Sequence, residues 1–171
     1  MRYSIAIPAL CLGLLVARAG AQGRATDSNA GLYAPIGQFI AALNAADVKM
    51  AAGAFAASPS LTDDIPRHFW TGPTAVADWF SDAHLAPGKV TVYLARPVFT
   101  DVSADRAYAS FPANYTVLDN GRYLPASGMF VFSLEKRAGD WKILSFTWTH
   151  TAASTNPPAG VGVDPALWHQ D

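Results

Sequence analysis

Two adjacent carboxylates, Asp63 and Asp64, are the residues of this chain best suited to proton-transfer chemistry. They end a short run from Ser60 that is typical of a β-strand and that stops before Pro66. Because side chains alternate along a strand, at most one of the two carboxylates enters the interior. A carboxyl group in an apolar pocket has a raised pKa and can act as a general base near neutral pH. The alternative is an aspartate that caps the turn before Pro66.

His68 and Trp70 follow in a segment that would border the mouth of such a pocket. A histidine beside Asp63 can form an acid–base couple, and Trp70 would contact a ligand. The alternative is a histidine that is simply exposed to solvent. The other histidines are scattered and no pair has metal-ligand spacing, so the sequence predicts neither a metal site nor a cofactor.

A β-hairpin over residues 128–151 is the element that would position these groups. Its two apolar strands flank the turn Arg137-Ala138-Gly139-Asp140. The cross-strand pairs predicted from this turn are Lys136 with Trp141, Leu134 with Ile143, and Phe132 with Ser145. The register places one largely apolar face against the interior of the protein.

A second hairpin is indicated by Asn120-Gly121, the strongest short hairpin signal. Pairing Leu118 with Tyr123 puts Phe111 opposite Phe130, and the inner face then carries four candidate ligand-binding residues. These residues are Tyr115, Phe130, Thr147 and Thr149. A mostly apolar cavity with a few hydroxyl groups is typical of a small-molecule site. The alternative is that the hydroxyl groups only satisfy neighbouring backbone atoms.

The outer face of the last strand carries Leu144, Phe146 and Trp148 in the same register. Nothing else in the chain is left to cover this apolar cluster, so it predicts a homodimer interface. The alternative is that the C-terminal tail folds back and lays Leu167 and Trp168 over the cluster.

The N-terminal part of the domain is helical. Apolar residues from Leu32 to Leu43 recur at helical spacing with Pro35 near the first turn, and Asp47 can cap a second helix. Gly72-Pro73 opens a third helix, and the rest is strand-like, with one long strand over residues 90–100 containing Pro97. The sequence therefore predicts an α+β fold, with three N-terminal helices packed on a strongly curved, mostly antiparallel sheet.

The first 21 residues have the pattern of a secretory signal peptide: a basic start, an apolar run and small residues before Gln22. We therefore expect a mature protein that is secreted or periplasmic, with a flexible tail over residues 152–171. The only cysteine, Cys11, lies within the signal. Without Arg2 and Arg18, the 12 basic residues become 10 against 13 acidic ones, a charge of −3. Neither nucleic acid nor a membrane is then an expected partner after cleavage.

This order of elements resembles the nuclear transport factor 2-like, or SnoaL-like, superfamily. Three motifs carry the resemblance: Asn44-Ala45-Ala46-Asp47-Val48 between the first two helices, residues 60–72 leading to the third helix, and Gly139-Asp140-Trp141-Lys142-Ile143 in the final strand. The resemblance covers residues 32–151. It implies a cystatin-like cone with an apolar pocket at its wide end.

The resemblance also implies roles for individual residues. Counted back from Gly72, Asp63 falls where steroid-isomerase members keep a proton-abstracting aspartate, and dehydratase members use a histidine–aspartate couple. The sequence departs from the isomerases in two places. The middle of the first helix has Gln38 and Phe39, whereas the isomerases place a tyrosine on this helix. Residues 130–134 include no acid, whereas the isomerases keep a protonated aspartate on a strand of the sheet.

Together these features predict an exported protein that binds a small apolar ligand, with weak acid–base activity of isomerase or dehydratase type. The alternative is a non-catalytic homodimeric binding or interaction module. In that case the cone would be filled by its own aromatic side chains, including Trp70 and Tyr115.

Overall fold

A computed structural model describes residues 25–151. The predicted signal peptide and tail lie outside these residues, as do Leu167 and Trp168. The helices are α1 (Ala25–Ala45), α2 (Val48–Ala54) and α3 (Ala75–Asp82). The strands are β1 (Phe55–Thr62), β2 (Phe69–Thr71), β3 (Val90–Leu94), β4 (Phe99–Ser103), β5 (Arg106–Asp119), β6 (Arg122–Arg137) and β7 (Asp140–His150).

Local capping chemistry sets the start of the second helix. Asp47 caps α2, and its carboxylate accepts a hydrogen bond from the backbone N–H of Met50 at 2.8 Å, as the sequence predicts. The first helix begins at Ala25 rather than near Leu32, so Pro35 lies inside it and not in its first turn. Proline has no N–H to donate to the preceding turn, so α1 lacks one internal hydrogen bond there.

The strands form one mixed sheet in the order β2-β1-β7-β6-β5-β3, and β4 also pairs with β5. The pairing of β1 with β7 is parallel, whereas the other pairings are antiparallel. The predicted strand over residues 90–100 is divided into β3 and β4 near Pro97, which cannot donate a hydrogen bond to the sheet. The helices pack on the inner face, so the observed class is the predicted α+β arrangement.

The register of the second hairpin is confirmed. Leu118 pairs with Tyr123 and Phe111 pairs with Phe130 across β5 and β6. Asn120 and Gly121 both have positive φ angles, which is the conformation that a tight hairpin turn of this kind requires. The turn chemistry therefore sets the alignment of 14-residue β5 along its whole length.

The register of the first hairpin is correct near its turn and wrong beyond it. Leu134 pairs with Ile143, but Ser133 pairs with Ser145, so Leu144 is an extra residue in a β-bulge. Phe132 consequently pairs with Phe146 rather than with Ser145. From this point to its end, β7 presents the opposite set of side chains to the interior.

This bulge corrects the predicted dimer surface. Phe146 and Trp148 face the interior and are only 1% and 5% exposed, so they cannot form an interface with a partner. Thr147 and Thr149, predicted on the inner face, pair with Val131 and Met129 on the outer face instead. The chain covers the aromatic cluster by its own folding, and neither a second subunit nor the tail is needed to do so.

Gly128 makes room for one of the side chains that the bulge turns inward. A Cβ atom at this position would lie 2.5 Å from the indole Cη2 of Trp148 and would collide with the carbonyl oxygen of Thr149. The indole therefore lies across the backbone of β6, and its ring centroid is 4.9 Å from that of Tyr115 on β5. No other residue type allows so close an approach.

We expect Gly128→Ala to lower the free energy of unfolding by about 1–3 kcal/mol, because the backbone carbonyl of Thr149 cannot move away from the new methyl group. The matched control is Gly37→Ala inside α1, where nothing lies within 4 Å of the added atom. The free energy of unfolding of that variant should rise by about 0.5–1 kcal/mol, because alanine favours a helix more than glycine does. Urea unfolding of both variants measures the difference. Equal stability of G128A and wild type would show that the indole is not held against Gly128.

Candidate functional site

A cavity of about 250 Å³ opens between α3, the loop after β1 and the inner face of β3, β5, β6 and β7. Its apolar wall includes five aromatic rings, and the adjacent carboxyl groups of Asp63 and Asp64 lie at one side. The aromatic residues of the wall are Trp79, Tyr115, Phe130, Phe146 and Trp148. The acidic residues that line it are Asp63, Asp64 and Asp119, and the basic one is Lys89. This composition is typical of a small-molecule site.

Strand β1 points Asp63 toward this cavity. Leu61 is fully buried and pairs with Phe146, Thr62 is exposed, and the alternation brings Asp63 back to the inner side. The indole Nε1–H of Trp79 donates a hydrogen bond to Asp63 Oδ2 at 2.9 Å. The backbone N–H of Asp64 donates to Asp63 Oδ1 at 2.6 Å. Both oxygens are therefore fixed, one by α3 and one by the loop that follows β1.

The pKa of Asp63 is raised from 3.8 to about 7, first by burial and then by the hydrogen bond and the negative charge of Asp64. The hydrogen bonds from Trp79 and from the backbone act in the opposite direction but are weaker. At neutral pH the protonated and ionised forms of Asp63 are therefore both populated. A carboxyl group with this pKa can donate or accept a proton at little cost.

Asp64 differs from its neighbour because it has a basic partner. His150 Nε2 forms an ion pair with Asp64 Oδ2 when the ring is protonated, and the two side chains are 48% and 43% exposed. Burial disfavours ionisation of Asp64, but the hydrogen bond with Asp63 and the charge of His150 outweigh it and lower the pKa. The two neighbouring carboxyl groups thus differ in proton affinity, which is the pattern of a divided acid–base pair.

Tyr115 adds a hydroxyl group to the same side of the cavity. Burial, together with the charges of Asp64 and Asp63, raises the pKa of Tyr115 to about 12. The phenol therefore keeps its proton at physiological pH and remains a hydrogen-bond donor.

Trp148 is the ring that connects these groups. It contacts Tyr115, Phe130 and His150 in edge-to-face geometry, with centroid distances of 4.9, 5.0 and 5.3 Å. Its indole Nε1–H is buried and makes no hydrogen bond within the described part of the chain.

Of the residues predicted from the sequence, Asp63, Tyr115 and Phe130 line the cavity. His68 does not pair with the carboxylate of Asp63, because its side chain is exposed and its ring Nδ1 lies 3.2 Å from the backbone oxygen of Asp63. Its positive φ of 57° turns it away within the loop. The histidine that meets a carboxylate is instead His150, at the end of β7.

The other predicted contacts lie elsewhere. Trp70 is 2% exposed but does not line the cavity, because its indole Nε1–H donates to Asp82 Oδ2 at 2.8 Å on α3. Thr147 and Thr149 lie on the outer face as a result of the bulge at Leu144. The hydroxyl group of the cavity therefore comes from Tyr115 and not from the threonines.

Sequence reasoning missed Trp79, His150 and the contribution of Asp64. The sequence places Trp79 on the apolar stripe of the third helix with Val76 and Phe80, a position that does not distinguish an indole donating a hydrogen bond from one that only packs. His150 follows the bulge, so its face could not be read from the register at the turn. The adjacent apolar residues Ile143 and Leu144, in a strand whose apolar residues are otherwise two apart, were the available signal of the bulge.

Among residues 25–151, no group of three or more histidine, cysteine, aspartate or glutamate side chains is placed to hold a metal ion. None of the helices within this range is long and apolar enough to cross a membrane.

No protein-family model and no curated protein matches the sequence. Solved structures match the fold. A nuclear transport factor 2-like superfamily protein from Salmonella enterica is 23% identical, with 78% of this chain and 96% of that one covered and a TM-score of 0.64. A ketosteroid isomerase-like protein from Erwinia carotovora atroseptica is 19% identical, with 77% and 99% covered and a TM-score of 0.61.

A protein of unknown function from Mycobacterium tuberculosis is 20% identical, with 81% of this chain and 80% of that chain covered and a TM-score of 0.64. At these identities the comparisons show that the chain has the nuclear transport factor 2-like fold. They give no specific activity.

The raised pKa of Asp63 makes stability depend on pH with a definite sign. Between 3.8, where an unfolded aspartate loses its proton, and about 7, where Asp63 does, the folded chain binds more protons than the unfolded one. The contribution of Asp63 to stability is thus full below that interval and is lost as the pH rises through it. Asp64 has the opposite effect on stability, because its pKa is lowered. Its contribution is present above 3.8 and is lost as the pH falls below that value.

We expect Asp63→Asn to remove the loss of stability that Asp63 causes as the pH rises, because the amide does not ionise. The amide also keeps an oxygen that can accept a hydrogen bond. The fall in unfolding free energy from about pH 5 to about pH 8 should be smaller in D63N than in wild type. Urea unfolding at both values measures it. Asp105→Asn is the control, since Asp105 is 67% exposed. Parallel pH profiles for wild type and D63N would contradict the raised pKa.

Proposed function

We propose that this protein binds a small, largely apolar molecule in the cavity and that Asp63 exchanges a proton with the bound molecule. The observation that carries this proposal is the position of Asp63: a carboxyl group on the wall of an apolar cavity, with both oxygens hydrogen-bonded and a pKa of about 7. Acid–base activity of isomerase or dehydratase type would use this exchange.

The unfilled cavity supports binding over an interaction module filled by its own aromatic residues. Tyr115 lines about 250 Å³ of space without occupying it, and Trp70 packs against Asp82 instead. A volume of this size is slightly below the usual range for drug-sized ligands and fits a molecule of one or two fused rings.

The pair of Asp64 and His150 supports the proton exchange. Both side chains are partly exposed, whereas Asp63 is the more buried of the two carboxyl groups. Protons taken up or released by Asp63 can therefore reach solvent through Asp64 and His150 without crossing the apolar wall. The phenol of Tyr115 would donate a hydrogen bond to a ligand oxygen or to a carboxylate.

The fold is compatible with this role, since one solved neighbour is described as ketosteroid isomerase-like. Fold does not determine activity, however, and the argument for proton exchange comes from Asp63 and its contacts.

We also propose that the protein acts outside the cytoplasm, on the basis of the signal-peptide pattern in residues 1–21. Intact mass of protein from the secreted or periplasmic fraction should show a chain beginning near Gln22. A chain that retains residues 1–21 in that fraction would reject export by cleavage.

Binding can be tested with methylnaphthalene, an uncharged probe of suitable size, by isothermal titration calorimetry. Ala83→Phe should weaken binding at least about tenfold, because Ala83 lines the cavity and a phenyl ring would occupy it. The control is Ala77→Phe, the same substitution on the exposed side of α3, which ends one residue before Ala83. That variant should bind as wild type does.

The bound probe should also raise the pKa of Asp63 above about 7, because it displaces water from the carboxyl group. The carboxyl carbon resonance of Asp63, followed by NMR against pH, reports this shift. Binding that is unaffected by A83F, or an Asp63 resonance that does not respond to the probe, would contradict the proposed site.

A further inference from the structure

We propose that the ligand of this cavity carries a protonated amine on its apolar body, held by the carboxylate of Asp63 and by the aromatic rings of the wall. This inference rests on the proposed binding function and adds the chemical class of the ligand. Three features of the described residues lead to it: the charges around the cavity, the aromatic lining, and the balance of hydrogen-bonding groups.

The charges that face the cavity favour a cation. The titratable side chains that face Asp63 or line the same space are Asp64 after β1, Lys89 before β3, Tyr115 and Asp119 on β5, and His150 on β7. The cavity is therefore lined by three carboxyl groups and one lysine, and His150 is already paired with Asp64. An anionic ligand would be repelled by the carboxylates, and within residues 25–151 no arginine lines the cavity to bind it.

The aromatic wall favours the same ligand. Three of the rings that line the cavity belong to tryptophan or tyrosine: Trp79, Tyr115 and Trp148. These residues have the electron-rich faces that attract ammonium groups most strongly, and the attraction increases when the cation is removed from water. A cavity that combines carboxylates with such faces can replace the hydration shell of a small ammonium group.

The hydrogen-bonding groups show where the ammonium would lie. Trp79 supplies one N–H to Asp63 Oδ2, and the backbone of Asp64 supplies another to Oδ1. Oδ1 also accepts a second, longer hydrogen bond from the backbone N–H of Ile65 at 3.4 Å. A carboxylate oxygen accepts two hydrogen bonds, so Oδ2 keeps a free lone pair. An ammonium donor can use that lone pair without displacing Trp79, and its apolar body would extend along Phe130 and Phe146.

Ammonium binding must be coupled to proton release. Asp63 is about half protonated near pH 7, and the positive charge of a bound ammonium group favours its ionised form. The carboxyl O–H bond breaks and its proton passes to solvent, while the ligand keeps its own proton and its positive charge. Binding near neutral pH should therefore release about half a proton for each ligand bound.

The test compares three probes with the same bicyclic body: naphthylmethylammonium, naphthylmethanol and naphthoate. Isothermal titration calorimetry of the full chain should show the ammonium probe binding at least about tenfold more tightly than the alcohol, with naphthoate weakest. Titration near pH 7 in phosphate and in Tris, whose ionisation enthalpies differ, measures the protons released.

The ammonium probe should lower the pKa of Asp63, whereas the uncharged methylnaphthalene should raise it. Asp63→Asn should reduce the preference for the ammonium over the alcohol severalfold, because the other carboxylates and the rings remain, and should abolish proton release, because its amide carries no charge. Asp105→Asn, which removes the same charge from an exposed site at the far end of β5, should keep both.

The outcomes separate this inference from the proposed function. Equal binding of the ammonium and the alcohol without proton release would overturn the amine inference and leave the cavity as a site for uncharged molecules. Failure of all the probes, including methylnaphthalene, would overturn both. If D63N is unstable, the pKa change of Asp63 in the wild-type chain decides the question, because its direction differs for a cationic and an uncharged ligand.

Discussion

The β-bulge at Leu144 is the constraint on which the interior of this protein depends. On the turn side of the bulge, Trp141 and Ile143 lie on the inner face of the sheet, and beyond it Phe146, Trp148 and the partly exposed His150 do. Without the extra residue, the last three would face solvent and the threonines would face the cavity. Burial of two large aromatic side chains is worth several kcal/mol, since each contributes about 1.5–3 kcal/mol. This gain outweighs the hydrogen bonds of the sheet that the bulge disrupts.

The parallel pairing of β1 with β7 then converts this packing into a site. Leu61 pairs with Phe146 and Thr62 with Thr147. Because the two strands are parallel, their C-terminal ends lie close together. The residues that follow β1 are Asp63 and Asp64, and the residues that end β7 are Trp148 to His150. The carboxylates therefore meet an indole and an imidazole, although more than 80 residues separate them in the chain. Only α3 is needed to complete the group, through Trp79.

The sequence predicted the parts of this structure that local chemistry determines. The turn at Asn120 and Gly121 fixed the register of β5 and β6, Asp47 capped its helix, and strand alternation indicated that Asp63 faces inward. The prediction that only one of the two carboxylates enters the interior was wrong, because Asp64 lines the cavity as well. It failed where packing decides between local alternatives. The bulge reversed Thr147 and Thr149, a loop with positive φ turned His68 outward, and a hydrogen bond to Asp82 held Trp70 away from the cavity. Of these three outcomes, only the bulge has a signature in neighbouring residues, the adjacent apolar pair Ile143 and Leu144.

The difference between Asp63 and Asp64 shows how one dipeptide can hold two forms of the same group. Asp63 is at the end of a strand, where it faces apolar rings, and its charge is opposed by burial and by its neighbour. Asp64 lies one residue further, in the loop, where His150 and solvent stabilise its charge. Each carboxyl group reinforces the state of the other, because a charge on Asp64 disfavours a second charge on Asp63. A cation that enters the cavity would relieve this repulsion, and a neutral molecule would increase it. The proton on Asp63 therefore couples the contents of the cavity to the pH dependence of the stability of the domain.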